Sequence, residues 1–433
     1  MSPTPTRTSR RVVIITAAVL VVVLVAIGVV LYLGANKSSS NSAESTTTAD
    51  NVDPPVVAPP AKIASLAASD KVPTTGGIEN QLSAQLANPD LAQFSGIVID
   101  PTTATVIWNK DSNSPQIPAS TAKLLTGTAL LTSVDPTSRF VTKVVKGDQE
   151  GDIVLVGGGD VTLSARNEGV GTVYDGAPLM ADLAAQVRAS GVDVKRIVLD
   201  TEYWSGPDLA DGWQTSDIRG TPGNAQGYIT RMSSLMVDGD REDPANENSI
   251  RTGDPANTAG KALGRMLGVP DVPLIDGTAP EGGTVIGQVS SQPMSVLLAQ
   301  ALEDLTIDTI GVEMYDGSGI STKDRVPPAV LAQVVALAVK GDTPALRNLL
   351  TGLPVAGVSG SLTDRFQDDG SRAGAGWVRA KTGSLEVTYA LAGYVPDVDG
   401  RILVFAFVSN GVGSGTRPAL DALAAGLRGC GCT

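Results

Sequence analysis

Two short motifs constrain this chain most, because they can act together only if segments more than 250 residues apart meet in the fold. The first is S-x-x-K, formed by Ser120 and Lys123, and the second is K-T-G, which begins at Lys381; each occurs once. The sequence contains no histidine, so a Ser-His-Asp triad is impossible and a serine nucleophile needs another base. Lysine is the residue type that these motifs offer for that task.

The spacing within S-x-x-K suits a nucleophile and its base. A helix predicted to begin at Ser120 places positions i and i+3 on one face, so the amine of Lys123 can reach the hydroxyl of Ser120. The positive end of the helix dipole would favour an alkoxide on this serine. Lys123 accepts a proton only when it is neutral, which requires its pKa to fall from about 10.4 toward about 7. Burial and a nearby second cation, Lys381, would both lower that pKa.

The K-T-G motif opens a run that is predicted to form an edge strand, along which a substrate backbone could lie antiparallel. Gly383 would let that backbone approach without a clash. Thr382 offers a hydroxyl and Lys381 a positive charge to a substrate carboxylate. The backbone N–H groups of Ser120 and Ser384 are the predicted oxyanion-hole pair. Together the two motifs indicate a serine acyl-transfer site.

Composition excludes several classes of protein. The net charge of −13 argues against nucleic-acid binding and against electrostatic attachment to anionic lipid. Histidine is absent and the two cysteines, Cys430 and Cys432, lie together in a C-terminal GCGCT tail, so we predict neither a metal site nor a cofactor. We interpret this tail as a solvent-exposed end without a role, the alternative being a labile or intermolecular disulfide outside the cytoplasm.

The N-terminal region predicts attachment to a membrane. Residues 12–33 are almost wholly apolar and uncharged, and at ~1.5 Å per residue they can cross a hydrocarbon core of ~30 Å. Three arginines precede this segment and one lysine follows closely, which places residues 1–11 in the cytoplasm and the rest of the chain outside. We interpret the segment as an uncleaved signal anchor, with cleavage as the alternative. Residues 34–77, rich in Ser, Thr and Pro, are predicted to form a flexible tether.

The remaining sequence indicates an α+β domain whose two halves are separated by an insertion. The predicted strands lie at residues 96–100, 104–108, 152–156, 196–200, 388–394 and 402–409, and the predicted helices at residues 181–190, 294–302, 328–339 and 418–427, besides the one at Ser120. Much of residues 204–287 is rich in Gly, Pro and Asp and gives no clear assignment. We assign residues 78–145 and 288–433 to a catalytic domain, and residues 146–287 to an inserted, mainly β region.

Several segments of the chain resemble the penicillin-binding D-alanyl-D-alanine carboxypeptidases and endopeptidases. They are PASTAKLLTG, MYDGSGISTKDRVPP, SGSLTDRF and AKTGSLEVTYALAGYV. The most similar subgroup carries a large insertion between its first two motifs, and LVGGGDVTLS fits that subgroup. The resemblance covers roughly residues 80–412 and implies a transpeptidase/β-lactamase-like domain, in which helices flank an antiparallel sheet.

The resemblance also implies roles for individual residues. Ser120 would attack the carbonyl between two D-alanines of a peptidoglycan stem peptide, and Lys123 would take its proton. Ser321, as the serine of the middle S-x-N motif, would relay a proton to the leaving amine. Lys381 and Thr382 would hold the terminal carboxylate. Water would then release the shortened peptide, and β-lactams would trap the same serine.

The inserted region and the middle motif raise two further expectations. In this subgroup an aspartate of the insertion binds the amine of the stem peptide's diamino acid, and Asp217 in DGWQTSDIRG is the best match. The middle motif departs from the family, because Thr322, Lys323 and Asp324 follow Ser321 and no asparagine occupies its expected place. Asp324 could neutralise a lysine, but an ionised carboxylate only accepts hydrogen bonds. We therefore expect altered or slower catalysis.

Three alternatives compete with an anchored, extracytoplasmic carboxypeptidase or endopeptidase. A β-lactamase needs an efficient deacylating base, and the insertion shows no clear glutamate motif of that kind. A peptidoglycan- or penicillin-binding protein without turnover would fit the missing asparagine. A serine esterase of another class would act on short acyl esters but not on D-alanyl peptides.

Overall fold

Two five-stranded β-sheets organise the part of the chain that the computed structural model describes, which comprises residues 71–135, 138–167, 169–172, 174, 176–291 and 310–431. The strands are β1 (Gln93–Asp100), β2 (Thr105–Lys110), β3 (Val141–Lys146), β4 (Asp152–Val156), β5 (Arg196–Asp200), β6 (Leu274–Asp276), β7 (Val285–Ser290), β8 (Arg379–Leu385), β9 (Thr388–Pro396) and β10 (Ile402–Asn410). The helices are α1 (Thr75–Leu86), α2 (Lys123–Ser133), α3 (Met180–Ala189), α4 (Thr215–Arg219), α5 (Pro255–Leu267), α6 (Pro328–Lys340), α7 (Arg347–Thr351) and α8 (Thr416–Arg428).

The first sheet is antiparallel and joins the beginning of the described chain to its end. Its strand order is β2-β1-β10-β9-β8, so the early strand β1 lies beside the last strand, β10. β8, which contains the K-T-G motif, pairs with β9 and forms one edge of this sheet, as the sequence predicts. The predicted single run through residues 381–395 is a hairpin, because the chain turns between Leu385 and Thr388.

Helices cover both faces of this sheet, which explains why its central strands are almost continuously apolar. Side chains of β10 alternate between the two faces. Phe405 and Phe407 belong to a core with α1 and α8, whereas Val404 and Ala406 belong to a second core with α2 and α6. This arrangement is the α+β architecture that the sequence predicts, with helices on both sides of an antiparallel sheet.

The second sheet is mixed, and its strand order is β6-β5-β4-β3-β7. β4, β5 and β6 are parallel, while β3 is antiparallel to both β4 and β7. Parallel neighbours need a crossover connection. Helix α3 lies between β4 and β5 in the chain, α5 lies between β5 and β6, and both helices contribute to one core with the sheet. The description of the insertion as mainly β is therefore incomplete, because it also contains α/β units.

Helix α5 escaped sequence analysis because it lies in a stretch rich in Gly, Pro and Asp, and small residues also form most of its buried face. Ala259, Gly260, Ala262 and Gly264 are buried there. A Cβ atom at Gly260 would lie 2.8 Å from Leu199 Cδ2, so the helix approaches β5 too closely for a larger side chain. Gly260 and Gly264 within the helix lower its helix propensity, even though its apolar and polar residues recur with a helical period.

The strands that border the insertion, β3 and β7, pair with each other, with Val141 opposite Ser290. The chain thus enters and leaves the second sheet through neighbouring strands. The predicted division points, after residues 145 and 287, fall within these two strands.

Most other predicted elements are present. The predicted strands at residues 152–156 and 196–200 coincide with β4 and β5, and the helix at 328–339 corresponds to α6. The predicted helix at residues 294–302 and the predicted membrane segment at residues 12–33 lie outside the described residues. Within the described ranges, no single helix is long and apolar enough to span a bilayer; α6 passes such a test only together with Pro344–Thr351, across a bend of 105°.

The C-terminal tail is packed onto the first sheet. Cys430 is fully buried in the core beside α8 and is disulfide-bonded. Its carbonyl oxygen accepts a hydrogen bond from the backbone N–H of Val398, at 3.3 Å, between β9 and β10. The interpretation of the tail as a solvent-exposed end is therefore wrong at Cys430. Cys432 lies outside the described residues.

A buried ion pair fastens the segment SGSLTDRF to the last helix. Arg365 donates to both carboxylate oxygens of Asp421, at 2.5 and 3.0 Å, and the two side chains are only 12% and 5% exposed. Burial raises the pKa of Asp421, although the hydrogen bonds from Arg365 oppose this effect. Removing one partner would leave the other as an unpaired buried group, which is costly.

We expect Arg365→Leu to lower the free energy of unfolding by about 3 kcal/mol, because Asp421 loses its partner. The double variant Arg365→Leu/Asp421→Leu should recover part of this loss. Urea denaturation measures both changes. Lys195→Met is the matched control, since Lys195 lies 4.0 Å from Glu150 in an exposed pair, and it should change stability by less than about 0.5 kcal/mol. Equal effects of Arg365→Leu and Lys195→Met would contradict this account.

Candidate active site

Ser120 and Lys123 lie on one face of a short helical turn. A 3-10 turn spans Ala119–Ala122 and continues directly into α2, which begins at Lys123. Lys123 Nζ donates to Ser120 Oγ at 3.0 Å and to the carbonyl oxygen of Ser318 at 2.7 Å. The two side chains that the sequence predicts to meet are thus in contact, while their catalytic roles stay predictions.

The backbone around Ser120 depends on a glycine of the DGSG segment, residues 316–319. Gly319 has φ of 78°, and a Cβ atom there would lie 1.9 Å from the carbonyl oxygen of Ala119. Ala119 itself has φ of 46°, in the region that glycine prefers. Another side chain at position 319 would displace the turn that presents Ser120.

Asp316 organises the DGSG segment and was missed by sequence analysis. One carboxylate oxygen accepts hydrogen bonds from the backbone and side chain of Ser318 and from the backbone of Gly319. The other accepts from the backbone N–H of Ser321 at 2.6 Å and from the indole of Trp213 at 2.9 Å. Burial raises the pKa of Asp316, but these hydrogen bonds outweigh it and the net pKa is lowered. Asp316 is therefore held as a carboxylate near Lys123.

Opposing effects act on the pKa of Lys123. Enclosure by protein atoms removes water from the ammonium and lowers this pKa, while the charge of Asp316 raises it, and the net shift is downward. The direction is the one that a lysine base requires. It is produced mainly by loss of hydration.

Lys381 is the second cation of the site and lies on the edge strand β8. Its Nζ donates to the carbonyl oxygen of Thr382 at 2.8 Å. Burial lowers the pKa of Lys381 to about 8, and the positive charge of Lys123 contributes to this shift. The two lysines are therefore close enough to influence each other, so the fold brings S-x-x-K and K-T-G into one site.

Gly383 fits this junction for a reason that the sequence does not reveal. A Cβ atom at Gly383 would lie 2.7 Å from the carbonyl oxygen of Pro118 and 3.1 Å from the Cβ of Ala119. The glycine thus lets β8 pack directly against the turn that carries Ser120. From the sequence, Gly383 is predicted to admit a substrate backbone, and in the structure the backbone that it admits is that of the turn before α2.

Two side chains extend the edge formed by the K-T-G motif. The hydroxyl of Ser361, in the SGSLTDRF segment, lies 2.8 Å from the hydroxyl of Thr382. Arg417 of α8 approaches the exposed side chain of Ser384 at 3.4 Å, and its guanidinium lies 5.1 Å from the ring centroid of Tyr389. Ser361 lies 21 residues before Thr382 and Arg417 lies 33 residues after Ser384, each outside β8, so motif spacing did not identify them.

Ser321 and Asp324 are placed differently from the roles that the resemblance implies. Ser321 is buried, and its hydroxyl donates to the carbonyl oxygen of Asp211 at 2.6 Å. The group of the middle segment that contacts Lys123 is the carbonyl of Ser318. A relay through Ser321 would therefore require its hydroxyl to turn away from Asp211.

Asp324 is fully buried beneath the middle segment. One carboxylate oxygen accepts the backbone N–H of Tyr315 at 2.7 Å and that of Asp316 at 3.4 Å. The other has no hydrogen-bond partner among the described residues. Burial raises the pKa of Asp324 to about 6. The structure assigns Asp324 to shaping the loop, and its carboxylate offers no surface to a substrate in this conformation.

Asp217, the predicted amine-binding residue, lies in α4. Its carboxylate accepts the backbone N–H of Gln214 at 2.7 Å and so caps the start of this helix. The residue is half-buried, and Trp213, whose indole contacts Asp316, precedes it by four positions. This segment of the insertion is thereby attached to the middle motif. No cluster of three or more metal-binding side chains occurs within the described ranges.

We expect Asp324→Asn to raise the melting temperature at about pH 8, because it removes a buried charge. The folded-state pKa of about 6 exceeds the ordinary value of 3.8, so the penalty is full above pH 6 and shrinks as pH falls toward 4. Thermal unfolding at about pH 8 and about pH 4.5 tests this sign. Asp342→Asn, at a mostly exposed residue, serves as the control. A lower melting temperature of Asp324→Asn at the higher pH would refute the assignment.

Comparison with known proteins shows the family to which the chain is related. The model of the D-Ala-D-Ala carboxypeptidase 3 (S13) family matches residues 78–267 and 282–427. Carboxypeptidase DacB of Mycolicibacterium smegmatis is 40% identical over 418 residues, covering 88% of this chain and 89% of that protein. A carboxypeptidase of Mycobacterium tuberculosis is 36% identical, again covering 88% of this chain and 89% of its own.

A solved structure agrees with this relationship in its fold. Penicillin binding protein 4 of Haemophilus influenzae superposes with a TM-score of 0.58 at 19% identity, covering 82% of this chain and 98% of that one. The family match includes both motifs, Ser120 with Lys123 and the segment at Lys381, and extends through most of the insertion. The chain therefore belongs to the D-Ala-D-Ala carboxypeptidase 3 (S13) family.

Proposed function

We propose that this protein is a serine-type D-alanyl-D-alanine carboxypeptidase that acts on peptidoglycan stem peptides through an acyl-enzyme on Ser120. The observation that carries this proposal is the contact of Lys123 Nζ with Ser120 Oγ at 3.0 Å. Lys381 lies on the neighbouring edge strand, close enough for the charge of Lys123 to lower its pKa. Nucleophile, base and a second cation thus share one site, without histidine.

In the proposed acylation, Lys123 in its neutral form takes the proton of Ser120 as Oγ attacks the carbonyl carbon of the penultimate D-alanine. The backbone N–H groups of Ser120 and Ser384 stabilise the oxyanion. The C–N bond then breaks, and the proton held by Lys123 passes to the leaving amine. Water hydrolyses the ester with Lys123 again as base, which frees Ser120 and the shortened peptide.

The terminal carboxylate of the substrate is assigned to the edge formed by Lys381, Thr382 and Ser361. Lys381 supplies charge, and the hydroxyls of Thr382 and Ser361, which lie 2.8 Å apart, supply donors. Carboxypeptidase and endopeptidase reactions share the same acylation and differ in the amine that leaves. The endopeptidase reaction is therefore the second activity of the same site.

Two further parts of the proposal concern inhibitors and location. A complex of the Haemophilus influenzae protein with a β-lactam has been solved, which supports β-lactams as acylating inhibitors of Ser120. Residues 12–33 and 34–77 would serve as membrane anchor and tether. This arrangement would hold the catalytic domain outside the cytoplasm, where peptidoglycan lies.

A peptidoglycan- or penicillin-binding protein without turnover is the second candidate function. It is favoured by Lys323 in the place of the family's asparagine and by the hydroxyl of Ser321, which donates to Asp211. Such a protein would be acylated by a β-lactam but would release no D-alanine from D-alanyl peptides.

Intact mass spectrometry after incubation with benzylpenicillin tests the proposed nucleophile. We expect one stable adduct on the wild-type protein, none on Ser120→Ala, and the wild-type result for Ser114→Ala, a control at an exposed serine. Release of D-alanine from a D-alanyl-D-alanine peptide then separates the two candidate functions. An adduct that persists in Ser120→Ala, or a folded wild-type protein that forms none, would overturn the assignment.

The pH dependence of KM tests the role of Lys381. Its pKa of about 8 means that its positive charge is lost as pH rises through that value. We expect KM for a peptide ending in D-alanyl-D-alanine to rise above about pH 8, because the carboxylate loses its cationic partner. The same peptide with an amidated C-terminus is the control and should show no such rise. An equal rise of KM for both peptides would contradict a role of Lys381 in binding the carboxylate.

A further inference from the structure

The lysine at the asparagine position of the middle motif turns toward the insertion. Lys323 Nζ lies 2.7 Å from Oδ1 and 2.6 Å from Oδ2 of Asp211, so it contacts both carboxylate oxygens. The same ammonium lies 5.7 Å from the ring centroid of Tyr315, within the range of a cation–π contact. Lys323 is therefore engaged by a carboxylate of the inserted region, 112 residues earlier in the chain.

The contact between Lys323 and Asp211 is one of three that attach the same short loop to the middle motif. The hydroxyl of Ser321 donates to the backbone carbonyl of Asp211 at 2.6 Å. The indole of Trp213 donates to Asp316 at 2.9 Å. Together these contacts hold residues 211–213, which we name the clamp loop, against the segment that carries the middle motif.

Gly212 shows how closely the clamp loop follows the middle motif. Its φ is 93°, and a Cβ atom at this position would lie 2.3 Å from Ser321 Oγ. A side chain at residue 212 would therefore push the loop away from Ser321. The sequence Asp-Gly-Trp thus combines an ion-pair partner, a close backbone approach and an indole donor in three consecutive residues.

The clamp loop is connected to the base through a short chain of hydrogen bonds. The indole of Trp213 donates a hydrogen bond to Asp316, and the hydroxyl of Ser318 donates one to the other carboxylate oxygen of Asp316. The backbone carbonyl of Ser318 in turn accepts a hydrogen bond from Lys123 Nζ. The loop leads directly into α4, which carries Asp217. Any displacement of the loop would therefore move α4 relative to the site that contains Lys123.

We propose that Lys323 and Asp211 are positioning residues. Their ion pair, which we name the latch, holds the insertion against the middle motif. The latch thereby fixes the position of residues 211–219, which form one wall of the substrate site. This inference rests on the proposed function, since it assigns that wall to the parts of a stem peptide remote from the scissile bond. The latch determines how well a long peptide binds, whereas a small β-lactam needs only the groups around Ser120. Lys323 thus acts through Asp211 and does not contact the reacting atoms.

The expected size of the effect follows from the exposure of the pair. The side chains of Lys323 and Asp211 are 51% and 61% exposed. Breaking an exposed ion pair changes an equilibrium constant by at most about fivefold, and salt weakens such pairs further. We therefore expect a moderate change in peptide binding when the pair is broken, and recovery when the charges are exchanged.

Charge exchange in the full-length protein tests the latch. The variants are Lys323→Asp, Asp211→Lys and the double exchange, with Lys340→Asp as a control in another exposed pair, Lys340 with Asp342 at 2.6 Å. Each is assayed for KM and kcat on a stem peptide that contains a diamino acid, and for the acylation rate with benzylpenicillin. Hydrogen–deuterium exchange of residues 211–219 provides a readout that does not depend on activity.

We expect each single reversal to raise KM about fivefold, to accelerate exchange across residues 211–219 and to leave the penicillin acylation rate within about twofold. The double exchange should restore KM and exchange, while Lys340→Asp should resemble the wild type. Unchanged KM and exchange in both single variants, or a double variant no better than the singles, would overturn the latch. A loss of penicillin acylation equal to the rise in KM would also overturn it, by placing Lys323 in the reacting centre.

The outcome for the latch and that for the proposed function are separable. A wild-type protein that benzylpenicillin does not acylate would refute the proposed nucleophile on Ser120. Exchange across residues 211–219 would still decide in that case whether the charges of Lys323 and Asp211 hold the loop, because exchange reports loop opening and not catalysis.

Discussion

The site depends on the close packing of the edge strand β8 against the turn before α2. Gly383 makes this packing feasible, since any side chain there would meet the carbonyl of Pro118 at 2.7 Å. The contact also depends on the pairing of β1 with β10, which brings the early and late parts of the chain into one sheet. Ser120 and Lys381 are brought together by this sheet and by helices on both of its faces.

The electrostatics of the site follow from placing two lysines in a partly dehydrated cleft. Loss of hydration lowers the pKa of both Lys123 and Lys381, and their mutual repulsion adds to the shift at Lys381. Asp316 adds a negative charge beside the two lysines, because its hydrogen bonds lower its pKa and keep it ionised in spite of burial. Catalysis without histidine thus relies on a balance among these charges, in which one lysine can be neutral while the other retains its proton.

Sequence reasoning succeeded where the signal is local. Alternation and apolar runs located β4 and β5, and the i, i+3 spacing placed Ser120 beside Lys123. It failed for α5, because Gly260 and Gly264 within the helix, and the Gly-, Pro- and Asp-rich sequence around it, argue against a helix in spite of its amphipathic pattern. It also could not orient Ser321 or find Asp211, because the direction of a side chain in a glycine-rich loop depends on a segment 110 residues away.

Identification of the acylated residue during turnover tests the central claim most directly. The protein would be mixed with a D-alanyl-D-alanine ester substrate, quenched in acid and digested with trypsin, and the acyl group located by tandem mass spectrometry. The account predicts the acyl group on Ser120 within the peptide that spans residues 111–123. An acyl group on Ser321, on Ser318 or on a residue outside this site would contradict it.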